Sequence, residues 1–291
     1  MIILFKYSLG KVCCSKRKLL KRAGDWAIIT GASSGIGKAY AEELAKDGLN
    51  IMLIDRDEDR MFSVSSELSV KYNVETKLVV ADFTKDNVYE IIEPEIEKLS
   101  SIACLVNNVG MMGETDLFAS PESPDKQFIK DIIHCNALST ATMTRIVMPK
   151  MLTQKISKSA IINIASYSGL NLFPYLSMYA ATKSFVIQLS NCISQEDYPK
   201  DIMIQTVCPL LVATPMSKMD KATLFIPTAQ TYVKSALDML GVENQTYGYI
   251  CHDLKAFLFD LLPKPIWIIL TKARVKSMQK YRASKTNTIE H

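Results

Sequence analysis

Thr30-Gly31-Ala32-Ser33-Ser34-Gly35-Ile36-Gly37 closes an apolar run, Trp26-Ala27-Ile28-Ile29, and opens a segment with helical spacing from about Lys38. Glycine at 31, 35 and 37 removes Cβ atoms that would hold a ligand away from the backbone. Free N–H groups and the helix dipole favour an anion at such a junction, and a dinucleotide pyrophosphate suits it. Far downstream, Tyr179-Ala180-Ala181-Thr182-Lys183 sets a phenol and an ammonium one turn apart on a single helix face. A proton donor beside a fixed cation, in a chain with a dinucleotide cradle, points to hydride transfer.

Groups so far apart in sequence need a scaffold to bring them together. Apolar runs at 27–30, 51–54, 77–80, 103–106, 160–164, 203–207 and 247–250 read as strands, with helix-like segments between them. The first helix meets its stop at Gly48, and a long helical segment covers residues 127–151. Near-continuous apolar strands alternating with helices imply a parallel sheet covered on both faces. The expected fold class is therefore α/β, a single doubly wound domain of Rossmann type over residues 24–250. A basic leader (1–23) precedes it, and an apolar and basic carboxyl-terminal extension (251–291) follows. Ligands of such a sheet bind beyond the carboxyl ends of the strands.

Of the 291 residues, 48% are hydrophobic and 22% charged, which suits a substantial core and excludes a disordered chain. The net charge of +4 is unevenly spread. Lys11, Lys16, Arg17, Lys18, Lys21 and Arg22 crowd one end; Lys272, Arg274, Lys276, Lys280, Arg282 and Lys285 crowd the other. Such ends suit anionic lipid or are simply solvated tails. No aromatic-interleaved basic motif or zinc-finger spacing is present, so neither nucleic acid nor a metal is expected. Seven cysteines without a C-x-x-C pair read as reduced thiols in a cytosol-facing protein. Residues 256–270 are strongly apolar, but Asp260, Pro263, Lys264 and Pro265 interrupt them. That segment suits lying on a bilayer better than crossing one. The alternatives are an arm packed on the protein or a dimer contact.

Further polar residues fall at strand ends. Asp82 follows the third strand, where a carboxylate can accept from an adenine amino group; Asn107-Asn108-Val109-Gly110 ends the fourth. Asn136 lies inside the long helical segment, and Ser166 follows the fifth strand, thirteen residues before Tyr179. Each has a plain structural explanation when taken singly. Tyr179 and Lys183 could be an ordinary amphipathic pair, Asn136 a buried group at a helix irregularity, and Ser166 a turn former beside Gly169. Together, in register with the glycine turn, they reject it.

With these motifs the chain resembles the short-chain dehydrogenase/reductase family over roughly residues 24–250. Asn107-Asn108-Val109-Gly110, Ala81-Asp82-Phe83-Thr84 and Ile133-His134-Cys135-Asn136 look most like one branch of it. That branch holds 17β-hydroxysteroid dehydrogenases and microsomal very-long-chain 3-oxoacyl-CoA reductases. The resemblance implies that Tyr179 is the general acid in reduction and that Ser166 polarises the substrate oxygen. A free phenol has a pKa near 10, so Lys183 would favour its phenolate and also hold the nicotinamide ribose. Asn136 would hold a water linking Lys183 to solvent. The implied cofactor set is Gly31, Ser33, Ser34, Gly35, Ile36, Gly37, Asp55, Arg56, Asp82 and Asn108, together with Tyr179 and Lys183.

Two positions depart from the pattern. Asp55, ending the second strand, suits the ribose hydroxyls of NAD(H) and repels a 2′-phosphate. Arg56 beside it suits that phosphate, and the resembled branch mostly uses NADP(H). Leu210 stands where many members carry glycine, and reads as part of a shaped nicotinamide pocket. The expected activity is hydride transfer between NAD(P)(H) and a ketone or secondary alcohol of a large apolar substrate, a steroid or a 3-oxoacyl thioester. Met216, Met219, Leu224, Phe225 and Ile226 fit such a guest, or else form the core face of a short helix. A lipid-like small-molecule substrate, a homo-oligomer and peripheral contact with the cytosolic face of the endoplasmic reticulum membrane go with this expectation; a cytoplasmic location is the alternative. Two other functions compete: a non-catalytic nucleotide-binding scaffold on the same fold, and a nucleotide-sugar epimerase or dehydratase. The latter generally has a differently spaced glycine turn and a larger carboxyl-terminal domain.

Overall fold

A strand covered on both faces must be apolar at nearly every position, and its alternate side chains serve opposite layers. That requirement selects β1 (Trp26–Thr30), β2 (Asn50–Asp55), β3 (Thr76–Val80), β4 (Ile102–Asn107), β5 (Ala160–Ile164) and β6 (Met203–Val207), with a two-residue β7 (Gln245–Thr246). The computed structural model describes residues 2–119, 125–154, 158–198, 202–219 and 221–289; for residues 2 and 278–289 only the backbone path is described. The strands form one sheet in the order β3-β2-β1-β4-β5-β6-β7, every neighbouring pair parallel. The last strand corrects the expectation at 247–250. Gly248 turns the chain at φ +75°, and a helix starts at Ile250, so pairing stops at Thr246.

The leader contains three short helices, α1 (Ile2–Phe5), α2 (Lys11–Cys14) and α3 (Leu20–Ala23). The domain helices follow as α4 (Gly35–Lys46), α5 (Glu58–Tyr72), α6 (Val88–Glu97), α7 (Lys126–Ile133), α8 (Ser139–Thr153), α9 (Ser177–Ile193) and α10 (Ala229–Asp238). On one face Ile29, Leu53, Val106 and Ile162 pack with Tyr40 and Leu44 of α4, Met61 and Leu68 of α5, and Tyr232 and Leu237 of α10. On the other, their sequence neighbours Ile28, Met52, Leu105 and Ile161 pack with Ile92 and Ile96 of α6 and Met143 and Val147 of α8. The chain winds outward through β2 and β3, then returns to place β4 beside β1. This reversal opens a crevice at the carboxyl ends of β1 and β4.

Three local features differ from the expectations. The first domain helix begins at Gly35, not near Lys38, so Ile36 and Gly37 belong to its first turn. The long helical segment runs from α7 into α8 through a π turn, His134–Leu138, that carries Asn136 into full burial. The leader is no solvated tail. Arg17 reaches Asp47 at 2.6 Å, Glu43 at 2.7 Å and Asp238 at 3.3 Å, while Leu20 is wholly buried. Lys6 likewise pairs with Glu243 at 2.7 Å and Asp253 at 3.2 Å.

Beyond β7 come α11 (Ile250–Asp260) and α12 (Lys264–Ile289). One side of this pair packs on the domain. The other leaves Phe257, Leu258, Leu261, Ile269 and Leu270 exposed. No helix among the described residues is long and apolar enough to cross a membrane.

Candidate active site

The glycine turn is latched to β4 by short hydrogen bonds. Thr30 Oγ1 accepts from the backbone N–H groups of Asn108 and Val109, both at 3.0 Å. Asn108 Nδ2 donates to the carbonyl oxygens of Thr30 (2.9 Å) and Gly31 (3.0 Å). Gly31 and Gly35 adopt φ of +65° and +56°, values that disfavour any side chain. Gly37 is different: a Cβ there would overlap the Gly31 carbonyl oxygen. It is buried, and it is absent from the wall of the crevice. At Gly37 the missing side chain lets the first turn of α4 sit against the Gly31 carbonyl and the Asn108 amide.

A cleft of about 330 Å³ runs along the carboxyl ends of the strands. Asp55, Arg56 and Asp82 line one end, Gly31, Ser33, Ser34, Gly35, Ile36 and Asn108 the middle, and Tyr179, Lys183 and Pro209 the other end. Its volume falls in the usual range for small-molecule sites, about 300–1,000 Å³. The donor set fits a dinucleotide. The Ser34 side chain makes no cap hydrogen bond at the start of α4, so the first-turn N–H groups are left for an anion. At the adenosine end, Asp55 Oδ2 accepts from Ser33 N–H at 3.0 Å. Its Oδ1 accepts from the N–H groups of Arg56 (2.7 Å) and Asp57 (3.3 Å). Asp82 Oδ1 accepts from Thr84 N–H (3.0 Å) and Thr84 Oγ1 (2.9 Å). Backbone donors thus fix both carboxylates where an adenosine moiety would sit.

At the opposite end α9 presents Tyr179 and Lys183 one turn apart. Lys183 is 4% exposed, and its Nζ donates to the Ile164 carbonyl at 2.8 Å from the end of β5. That ammonium lies 5.8 Å from the centroid of the Tyr179 ring. Burial disfavours the cation and lowers the Lys183 pKa to about 8. Burial also raises the Tyr179 pKa, and a hydrogen bond from Ser166 works against that rise. Ser166 begins a tight turn, Tyr167–Gly169, and its Oγ accepts from Ser168 N–H (3.2 Å) and Ser168 Oγ (2.9 Å). With those acceptor positions used, its own proton is left for the phenol or a substrate oxygen. Gly169 lets the turn touch α9, since a Cβ there would stand 2.7 Å from the Lys183 carbonyl carbon.

Asn136 approaches this group from the π turn. Its Oδ1 accepts from Met111 N–H at 2.7 Å, while Nδ2 donates to Met111 O (2.8 Å) and Thr182 Oγ1 (3.1 Å). It does not line the cleft; it ties the segment after β4 to α9. Gly110 lies between it and the ammonium, for a Cβ there would be 3.3 Å from Asn136 Oδ1 and 3.5 Å from Lys183 Nζ. Cys135, on the cleft wall, has its thiol pushed up to about 11 by burial and stays protonated at neutral pH.

Several contributors escaped the sequence reading. Thr30 and Thr182 act through hydroxyl bonds; a threonine ending the run of isoleucines at 28 and 29 was the available signal for the first. His252 holds the segment that carries Leu210. Its Nδ1 accepts from Leu210 N–H at 3.4 Å and its Nε2 donates to Leu211 O at 3.1 Å. Burial lowers its pKa to about 4, so it stays neutral and can do both. Among the described residues near 216–226 there is no helix; Met216 lines the cleft, and Leu224 and Phe225 are exposed.

Comparison with known proteins agrees with this geometry. The family model for short chain dehydrogenases matches residues 25–224. The very-long-chain 3-oxoacyl-CoA reductase of Mus musculus is 42% identical over 259 residues, covering 89% of this chain and 82% of that protein. Among solved structures, a short-chain dehydrogenase from Sphingobium yanoikuyae in complex with NADPH superposes with a TM-score of 0.69 at 27% identity, covering 87% of this chain and 95% of that one. A 7β-hydroxysteroid dehydrogenase superposes with a TM-score of 0.78, covering 87% of this chain and 99% of that one; at 20% identity its likeness speaks for the fold. The chain belongs to the short-chain dehydrogenase family and is, in class, an NAD(P)-dependent oxidoreductase.

Proposed function

We propose that this protein interconverts a ketone and a secondary alcohol on a large apolar substrate, a 3-oxoacyl thioester before a steroid, with Tyr179 as the general acid and base. The observation that carries the reading is the phenol of Tyr179 held against a buried Lys183 ammonium at the inner end of the cleft. A non-catalytic scaffold has no use for a cation buried there against the cost of its dehydration. The nicotinamide, when bound, supplies or takes up the hydride. In reduction Tyr179 gives its proton to the carbonyl oxygen, and Ser166 donates a hydrogen bond to that same oxygen. Lys183 stabilises the phenolate left behind, and the proton returns from solvent. Identity of 42% across 89% of the chain to a very-long-chain 3-oxoacyl-CoA reductase supports the thioester, and Met216 gives the cleft wall an apolar side chain.

At the adenosine end, Asp55 favours the free ribose hydroxyls of NAD(H), and Arg56 on the cleft wall offsets part of its repulsion of a 2′-phosphate. The exposed apolar side chains of α11 and α12, with Lys264, Lys272, Arg274 and Lys276 on the same pair, suit peripheral attachment to an anionic membrane surface. The endoplasmic reticulum face that meets the cytosol is the location this reading favours.

Three measurements check the proposal. Tyr179→Phe, assayed with NADH or NADPH and a long-chain 3-oxoacyl-CoA, loses about 10²- to 10⁴-fold in turnover with nucleotide affinity nearly unchanged; turnover near wild type refutes the assignment. Asp55→Ala narrows the ratio of NADPH to NADH dissociation constants, and Arg56→Ala weakens NADPH. A ratio unmoved by Asp55→Ala shows that the carboxylate does not discriminate. In flotation with anionic liposomes at low salt, the full chain rises with the vesicles; protein left in the soluble fraction excludes attachment through this segment.

A further inference from the structure

The segment between Ser166 and Tyr179 has little regular structure of its own. After the turn at Tyr167–Gly169, residues 170–176 run without helix or strand, and Tyr175 adopts a left-handed φ of +70°. A chain in that state needs outside anchors if its two ends are to keep register. Asp116 N–H donates to Tyr175 O at 3.2 Å, and Ser184 Oγ donates to Gly169 O; the aromatic anchors come from the carboxyl-terminal helices. Trp267 of α12 donates from Nε1 to the Leu172 carbonyl at 2.9 Å. Its ring meets Phe173 at 5.4 Å and Tyr167 at 5.8 Å between centroids, both edge to face. Phe259 of α11 closes the group, 5.2 Å from Trp267 and 6.1 Å from Tyr167. Tyr167, the residue after Ser166, is buried; its hydroxyl donates to Asp260 Oδ1 at 2.9 Å and its N–H to Pro209 O at 3.0 Å.

We infer that Trp267 is a positioning residue for the reaction: the α11–α12 pair straps the Ser166–Tyr179 segment from outside and keeps Ser166 in register with Tyr179. This rests on the reading of Ser166 and Tyr179 as the reacting pair. The indole belongs to none of the three buried apolar clusters of the domain. Its hydrogen bond and two of its three ring contacts go to the segment at 167–173. Removing it therefore loosens that segment and not the sheet. Among the described residues, no hydrogen bond, ion pair or ring contact joins Asp55 or Asp82 at the nucleotide end to Trp267, Phe259 or Asp260.

The test uses the full chain and its Trp267→Ala and Trp267→Phe variants, with NADH or NADPH and 3-oxohexadecanoyl-CoA as the probe. Trp267→Ala lowers kcat about 10- to 100-fold, the loss expected for a misplaced reacting group, while nucleotide affinity stays within about twofold. The ionisation in its rate–pH profile moves to higher pH, because Ser166 no longer offsets the burial that raises the Tyr179 pKa. Trp267→Phe, which keeps a ring but loses the bond to Leu172, falls between the two. Hydrogen exchange over residues 166–178 reads the strap without any substrate: faster exchange there, with residues 30–37 unchanged, supports it. Should the wild type fail to turn over the thioester while exchange still responds in this way, the substrate reading fails and the strap stands. Unchanged kcat and exchange in Trp267→Ala overturn the strap. So does a fall in nucleotide affinity and unfolding temperature that parallels the rate.

Discussion

Lys183 carries an ammonium into a place that water scarcely reaches, and the surroundings are arranged to bear it. Moving such a group out of water costs several kcal/mol even after relaxation. The lowered pKa, about 8, is the mark of that cost. One carbonyl, Ile164 O, accepts its proton at 2.8 Å, so β5 must end at this point and present that oxygen. The π face of Tyr179 lies 5.8 Å away, so α9 must run with the two residues one turn apart. Gly110 leaves room beside the ammonium, for a Cβ there would stand 3.5 Å from Nζ and 3.3 Å from Asn136 Oδ1. Each of these features is costly or unusual alone and follows from one buried cation.

Beneath this group the sheet is stiffened by polar contacts. Asn107 Nδ2 donates to Asn163 Oδ1 at 2.8 Å and to Thr144 Oγ1 at 3.1 Å, and Asn163 Nδ2 donates to Ser190 Oγ at 2.8 Å. This buried chain runs from β4 through β5 to α9 and ties together the elements that carry the ammonium. These bonds fix one arrangement, since a slip would strand further buried polar groups beside Asn107 Oδ1, which has no partner. The cleft is thereby divided. Its adenosine end is shaped by carboxylates held on backbone N–H groups, and its inner end by a cation set against a phenol. Different elements build the two ends: the ends of β2 and β3 at one, α9 and the turn after β5 at the other.

Much of this was legible in the sequence because it rests on short-range patterns. The glycine turn, the Tyr179–Lys183 spacing and Ser166 after an apolar strand sit on elements whose periodicity is strong. What escaped depends on contacts between distant parts. The sequence allowed a helix irregularity at Asn136, and its kind, the π turn at His134–Leu138, is shown with the tertiary bonds from Asn136 to Met111 and Thr182. The docking of the leader depends on Arg17 finding acids on and just after α4 and on α10, where charge counting left an anionic partner and a solvated tail both open. Trp267 meets Leu172 across 95 residues, and nothing in the local pattern at 256–270 separates its inward indole from its exposed neighbours. At Gly37 the absent side chain serves packing that local pattern does not show, since a Cβ there would overlap the Gly31 carbonyl oxygen.

Direct titration of the Lys183 ammonium tests the central claim most closely. In protein labelled with ¹⁵N-lysine and free of nucleotide, the Nζ resonance is assigned by its loss in Lys183→Met and followed against pH. Burial as the governing constraint predicts a midpoint near 8. A midpoint at the ordinary lysine value of 10.5 would mean that the cation is solvated, and the account of the site built on it would be wrong.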